Sequence, residues 1–109
     1  MTTWVKACPI DDIDLEDVIP FSAGGRDYAI YRSEKGDFFA TDGHCTHERT
    51  LLCDGLVLDG VIECPRHNGR FDFRTGRALG APAIVDLTTY PVKVEDGHVH
   101  LDIDGLAPP

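Results

Sequence analysis

The sequence predicts an all-β fold, and three observations carry that expectation. Turn dipeptides built on glycine recur along the chain: Asp42-Gly43, Asp54-Gly55, Asp59-Gly60, Asp96-Gly97 and Asp104-Gly105, with Gly24-Gly25 and Asn68-Gly69 among them. The segments they separate are short and rich in β-branched and aromatic residues, a composition that suits a pleated, half-buried surface. No segment carries a long apolar stripe at helical period.

Taken in order, Asp11 to Val18 is the one stretch where a turn of helix is expected. Gly24-Gly25 joins a strand over Val18 to Ser22 to one over Arg26 to Arg32, because glycine reaches the positive φ of a tight hairpin turn at no steric cost. Phe38 to Thr41 forms the next strand and stops at Asp42-Gly43. Asp59-Gly60 joins Leu56 to Leu58 with Val61 to Glu63, and Asp96-Gly97 joins Tyr90 to Glu95 with His98 to Ile103. The last strand alternates most clearly, with His98, His100 and Asp102 on one face and Val99, Leu101 and Ile103 on the other. Exposed strand positions account for the two histidines more simply than a weak metal site does.

At 109 residues the chain is long enough for one hydrophobic core and short for two, so residues 1–109 are expected to form a single domain. The N-terminus lacks a basic region followed by an apolar one, and no apolar run reaches the length of a membrane span. A soluble, cytoplasmic protein is expected. The formal charge of −9 is unevenly spread. Residues 1–43 carry nine acids and four bases, residues 44–78 five of each, and residues 79–109 five acids and one base. A chain without a basic stripe makes a poor binder of nucleic acid. Acidic flanks around a neutral middle instead suit encounter with a basic protein surface, or serve solubility alone.

Without a secretion signal, the four cysteines are not expected to form disulfides. Cys8 and Cys53 have no histidine at ligand spacing and read as small apolar residues. The other two lie in mixed pairs, Cys45-Thr46-His47 and Cys64-Pro65-Arg66-His67, with sixteen residues between. The Asp59-Gly60 hairpin lies between the pairs and sends the chain out and back, so both loops are expected side by side. Two thiolates and two imidazoles suit zinc or an iron–sulfur centre. Structural zinc sites usually take their cysteines from one short knuckle and their histidines from another. A mixed pair on each loop suits a dinuclear centre, with each loop reaching both metals.

The pattern Cys-x-His, sixteen residues, Cys-x-x-His resembles the signature of the Rieske [2Fe–2S] family, in which two histidines replace two cysteines on one iron. The tract Asn68-Gly69-Arg70-Phe71-Asp72-Phe73-Arg74-Thr75-Gly76 is similar to the family's continuation after the second loop. The resemblance implies stacked antiparallel sheets with a two-loop cluster-binding subdomain, its loops at about residues 44–52 and 63–73. It also implies a Rieske-type [2Fe–2S] cofactor, with Cys45 and Cys64 on one iron and His47 and His67 on the other. Leu51 and Leu52 would cover the cluster from water, or else form an apolar docking rim, and Pro82 resembles part of the proline loop that shields it. Thr46, Glu48, Arg49 and Arg66 flank the ligands, and the two arginines are expected to pair with Glu48, Asp72 or Glu63, or else to orient a partner.

High-potential respiratory members add a disulfide between the loops, and serine and tyrosine hydroxyls that hydrogen-bond the cluster sulfurs. The corresponding positions here are Thr50, Arg66, Gly69 and Phe71, so a potential at the low end of the family range is expected. A second iron site of the oxygenase kind is not expected, since outside the motif only His44, His98 and His100 remain. Similarity to small Rieske ferredoxins therefore implies an electron carrier without catalysis of its own. Its expected partners are a flavin-dependent, NAD(P)H-dependent ferredoxin reductase and a terminal ring-hydroxylating oxygenase, met in transient complexes by a monomer. The alternatives are a Rieske-like small subunit of a larger oxidoreductase such as a nitrite reductase, and a zinc-bound structural module.

Overall fold

A computed structural model describes residues 3–46, 50–65, 69–80 and 85–104. Among the described residues, eleven strands form three antiparallel sheets. β1 (Trp4–Pro9), β11 (His98–Asp102) and β10 (Val92–Glu95) make the first, in that order. β2 (Asp17–Ala23), β3 (Arg26–Arg32), β4 (Phe38–Asp42) and β9 (Thr89–Tyr90) make the second. β5 (Leu56–Leu58), β6 (Val61–Glu63), β7 (Arg70–Asp72) and β8 (Ala78–Gly80) make the third. Among the described residues, no helix is long and apolar enough to cross a membrane.

Strand β3 explains how the layers stack. A strand covered on both faces reads as a continuous apolar run rather than an alternating one, and Tyr28-Ala29-Ile30-Tyr31 is such a run, buried throughout. Its residues divide by parity. Tyr28 and Ile30 pack with Ile13, Ala40, Tyr90, Val99 and Leu101. Ala29 and Tyr31 pack on the other side with Leu52, Ile62, Phe71 and Phe73. The interior is thus divided into two cores, where the chain length had suggested one.

The two cores are built differently. In the first, Tyr28 meets Tyr90 edge-on at 5.0 Å, and the Tyr90 hydroxyl donates to the Asp42 carboxylate, with Arg26 donating to both groups. Burial first, and then that carboxylate, hold the Tyr90 phenol above its ordinary range. In the second, Tyr31 stacks on Phe73 with centroids 4.6 Å apart and planes 4° from parallel, and Phe39 leans on Phe73 at 5.7 Å. The Thr41 hydroxyl donates to the Asp42 carbonyl, so Tyr31 donates to Thr41 at 2.8 Å. This aromatic seam fixes the third sheet to the second.

Six of the seven expected strands form with small changes at their ends. Pro91 lies between β9 and β10, so the expected strand from Tyr90 to Glu95 is split between two sheets. Strands β1, β7 and β8 form where none was expected. The helical turn is shorter than expected: a 3₁₀ turn spans Ile10–Asp12 and is followed by β2, which takes Asp17 and Val18. Three dipeptides make two-residue hairpin turns with both φ positive, at Gly24-Gly25, Asp59-Gly60 and Asp96-Gly97. Asp102 is buried rather than solvated, because the backbone N–H groups of Thr3 and Asp104 donate to its carboxylate at 3.0 and 3.1 Å.

Candidate metal centre

Both motif loops are launched in the same way. In the first, the Leu52 N–H donates to the Gly43 carbonyl at 2.8 Å, His44 bridges Leu51, and the Cys45 N–H donates to the Thr50 carbonyl at 2.9 Å. In the second, Glu63 pairs with Arg70 across the β6–β7 ladder, and the Cys64 N–H donates to the Gly69 carbonyl at 2.7 Å. Each cysteine therefore sits on the last rung before a loop, its amide bonded to the carbonyl five residues on. The sequence supplies His47 and His67 inside those loops, outside the described residues along with Glu48, Arg49, Arg66 and Asn68.

Those rungs place both thiols in one apolar core. Cys45 is 5% exposed and Cys64 1%, and both pack in the core formed by Leu52, Ile62, Phe71, Phe73 and Leu87. Leu52 is fully buried at the start of a 3₁₀ turn over Leu52–Asp54, while Leu51 is half-buried. Gly55, expected as a hairpin residue, has another task. A Cβ there would lie 2.2 Å from the Glu63 carbonyl oxygen, so only glycine lets the chain after Leu52 pass this close to the strand that delivers Cys64. The Thr46 hydroxyl donates to the Val85 carbonyl at 2.6 Å, and the Ala78 N–H donates to the Asp86 carboxylate at 2.8 Å. These bonds tie the first loop and β8 to the chain that returns after residues 81–84, a stretch outside the described residues that includes Pro82.

The expected ion pairs of Arg49 and Arg66 lie outside the described residues. Glu63 pairs with Arg70 at 3.3 Å and Asp72 with Arg74 at 3.2 Å, so both acids already hold arginines from their own sheet or turn. Phe71 is fully buried and Gly69 is buried too, consistent with the absence of hydroxyl donors at those positions.

The donor set suits a soft metal centre. Two sulfur atoms in an apolar, water-poor core, each followed by an imidazole two or three residues on, match the ligand chemistry of a mixed Cys and His iron–sulfur site. Residues 3–91 match the Rieske [2Fe-2S] domain family. This chain belongs to that family. The group a Rieske domain carries is a [2Fe–2S] cluster.

The match extends over nearly the whole Rieske chain. It is 43% identical over 101 residues to the ferredoxin component of the naphthalene 1,2-dioxygenase/salicylate 5-hydroxylase systems of a Ralstonia species, covering 93% of this chain and 96% of that one. The solved Sphingomonas yanoikuyae B1 ferredoxin is 34% identical and superposes with a TM-score of 0.86, covering 92% and 98% of the two chains. A chain of the solved complex of reduced oxygenase and oxidized ferredoxin in carbazole 1,9a-dioxygenase is 33% identical, with a TM-score of 0.85, covering 91% and 92% of the two chains. The antiparallel, nearly all-β Rieske fold and the cofactor class expected from the sequence hold.

Other candidate ligands lie elsewhere. Cys8 and Cys53 carry free thiols whose pKa is raised, chiefly by burial and then by Asp12 and Asp54 respectively. His98 Nδ1 lies 2.9 Å from the Asp96 carbonyl oxygen and His100 Nε2 3.3 Å from that of Glu95. Glu16, Glu34 and Asp59 bring carboxylate oxygens within 4.8 Å of one another. That gathering joins three distant parts of the chain, and no local motif announces it.

Proposed function

We propose that this Rieske protein is a one-electron carrier that takes electrons from an NAD(P)H-dependent flavin reductase and delivers them to a terminal ring-hydroxylating oxygenase. The observation that carries this reading is the placement of Cys45 and Cys64 on matching rungs in one core, within a chain that corresponds almost end to end to ferredoxin components. In this reading Cys45 and Cys64 hold one iron and His47 and His67 the other. When bound, the cluster takes up and returns a single electron, within the family range of roughly −150 to +300 mV. The chain's own part is to keep water from the sulfurs with Leu52, Phe71 and Leu87 and to fasten the first loop through Thr46. The NAD(P)H-linked donor makes the cytoplasm its expected place of work.

Two measurements bear on this. Gly69 and Phe71 bring no hydroxyl to the site, so a redox titration is expected to give a midpoint near the low end, about −150 mV; a midpoint above about +100 mV would contradict the proposed surroundings. Mixing reduced protein with oxygenase is expected to restore the carrier's visible bands, bleached on reduction, as electrons leave, more slowly as ionic strength rises, because acidic flanks steer the encounter. Rates indifferent to salt would remove the steering, and no transfer to any oxygenase component would remove the carrier.

A further inference from the structure

The outer face of the third sheet breaks the rule that its inner face obeys. Val57, Ile62 and Phe71 point inward and are buried. On the outward side of β5, where water favours polar residues, stand Leu56 and Leu58, 60% and 55% exposed, and Leu79 of β8 is 49% exposed. Leu58 pairs with Val61 across the ladder and Leu56 with Glu63. Together these side chains line an open groove of about 420 Å³ rimmed by Asp59, Glu63 and Arg70. Single exposed leucines are ordinary on a protein surface, but a contiguous set marks a place where something binds.

Charge narrows the occupant. Glu63 pairs with Arg70, and Asp72 pairs with Arg74, whose guanidinium also lies against the Gly60 turn and is shared with Glu34, one base among the carboxylates at that end. Asp59 lies at the groove's rim, and its carboxylate gathers with those of Glu16 and Glu34. One end of an apolar groove is therefore negative. A second copy of this chain, at −9, would meet it with like charge.

We propose that this groove is a docking surface for the terminal oxygenase, which would seat an apolar patch on Leu56, Leu58 and Leu79 and place a lysine or arginine beside Asp59. The inference rests on the carrier reading above and adds a face to it. Glu63 and Arg70 are the chain neighbours of Cys64 and Gly69, so a partner held here is held along the flank of the second loop.

The test is binding of the cluster-loaded protein to the oxygenase component of the Ralstonia naphthalene dioxygenase system, at low and high salt. Leu56→Ser/Leu58→Ser is expected to weaken binding at least about tenfold at both salts, since apolar contact is little screened. Asp59→Asn is expected to weaken it about threefold at low salt and not at high salt; asparagine tolerates the φ of 52° at this turn. The visible spectrum and midpoint potential of all three proteins should agree. A double-serine variant that binds like its parent overturns the groove and leaves the carrier standing. An Asp59→Asn variant unaffected at low salt overturns the basic edge. Self-association of the parent that the double variant abolishes assigns the groove to a second copy instead. A parent that neither binds nor is oxidised by this or any other ring-hydroxylating oxygenase component overturns the carrier reading and the groove with it.

Discussion

Cys64→Ser protein is expected to purify colourless, with iron and acid-labile sulfide at background, while Cys8→Ser and Cys53→Ser retain both. The expectation follows from where the four sulfurs sit. Cys64 ends the β6 rung with its side chain in the site core, almost without exposure. Serine there offers a hard, weakly acidic oxygen in place of a soft thiolate, and without a metal its hydroxyl would be buried at a cost of about 1–3 kcal/mol if unsatisfied. The Cys64 N–H to Gly69 bond is backbone to backbone, so the loop should still form. Cys8 belongs to the other core, and Cys53 lies beyond the first loop with its pKa raised by burial. Iron and sulfide analysis with visible absorption decides the matter. A brown Cys64→Ser protein, or a colourless Cys53→Ser one, would mean that the ligand set has been misassigned.

Phe73→Ala is expected to produce the largest loss of stability away from the ligands. Phe73 is fully buried, parallel to Tyr31 and in contact range of Phe39. Truncating such a ring costs about 3–5 kcal/mol, the area lost plus the cavity left behind, and the stack itself contributes about 0.5–1.5 kcal/mol of that. Small domains hold only about 5–15 kcal/mol in all. A fall in thermal midpoint of more than about 10 °C is expected, with Phe73→Leu losing less because it refills part of the space. Scanning calorimetry on the cluster-loaded proteins would check it. A shift under about 3 °C would show that the aromatic seam is not what joins the sheets.

How much of this was legible before the structure depends on how local each signal is. Hairpins were read because Asp59-Gly60 and Asp96-Gly97 are chemically obliged to turn, and the strands beside them follow. Strand β1 was missed because its partner is β11 at the far end of the chain. Strands β7 and β8 are three residues each, too short for any period to show. Asp102 looked solvated by alternation, yet Thr3 and Asp104 turn inward upon it. Gly55 resembled a turn glycine, and only the Glu63 carbonyl beside it reveals a steric need. Ligand spacing is a property of the sequence itself and is legible there, whereas the common core of Cys45 and Cys64 and their matching amide bonds to Thr50 and Gly69 could be known only from coordinates.

The parity of β3 has a corollary for mutation. Tyr28 and Ile30 answer to one interior, Ala29 and Tyr31 to the other, so a substitution that retunes the metal-bearing half need not disturb the packing of the frame beneath it. Distant, unshared sites contribute to stability additively. Substitutions confined to one interior and away from β3 are therefore expected to add to those in the other rather than couple with them.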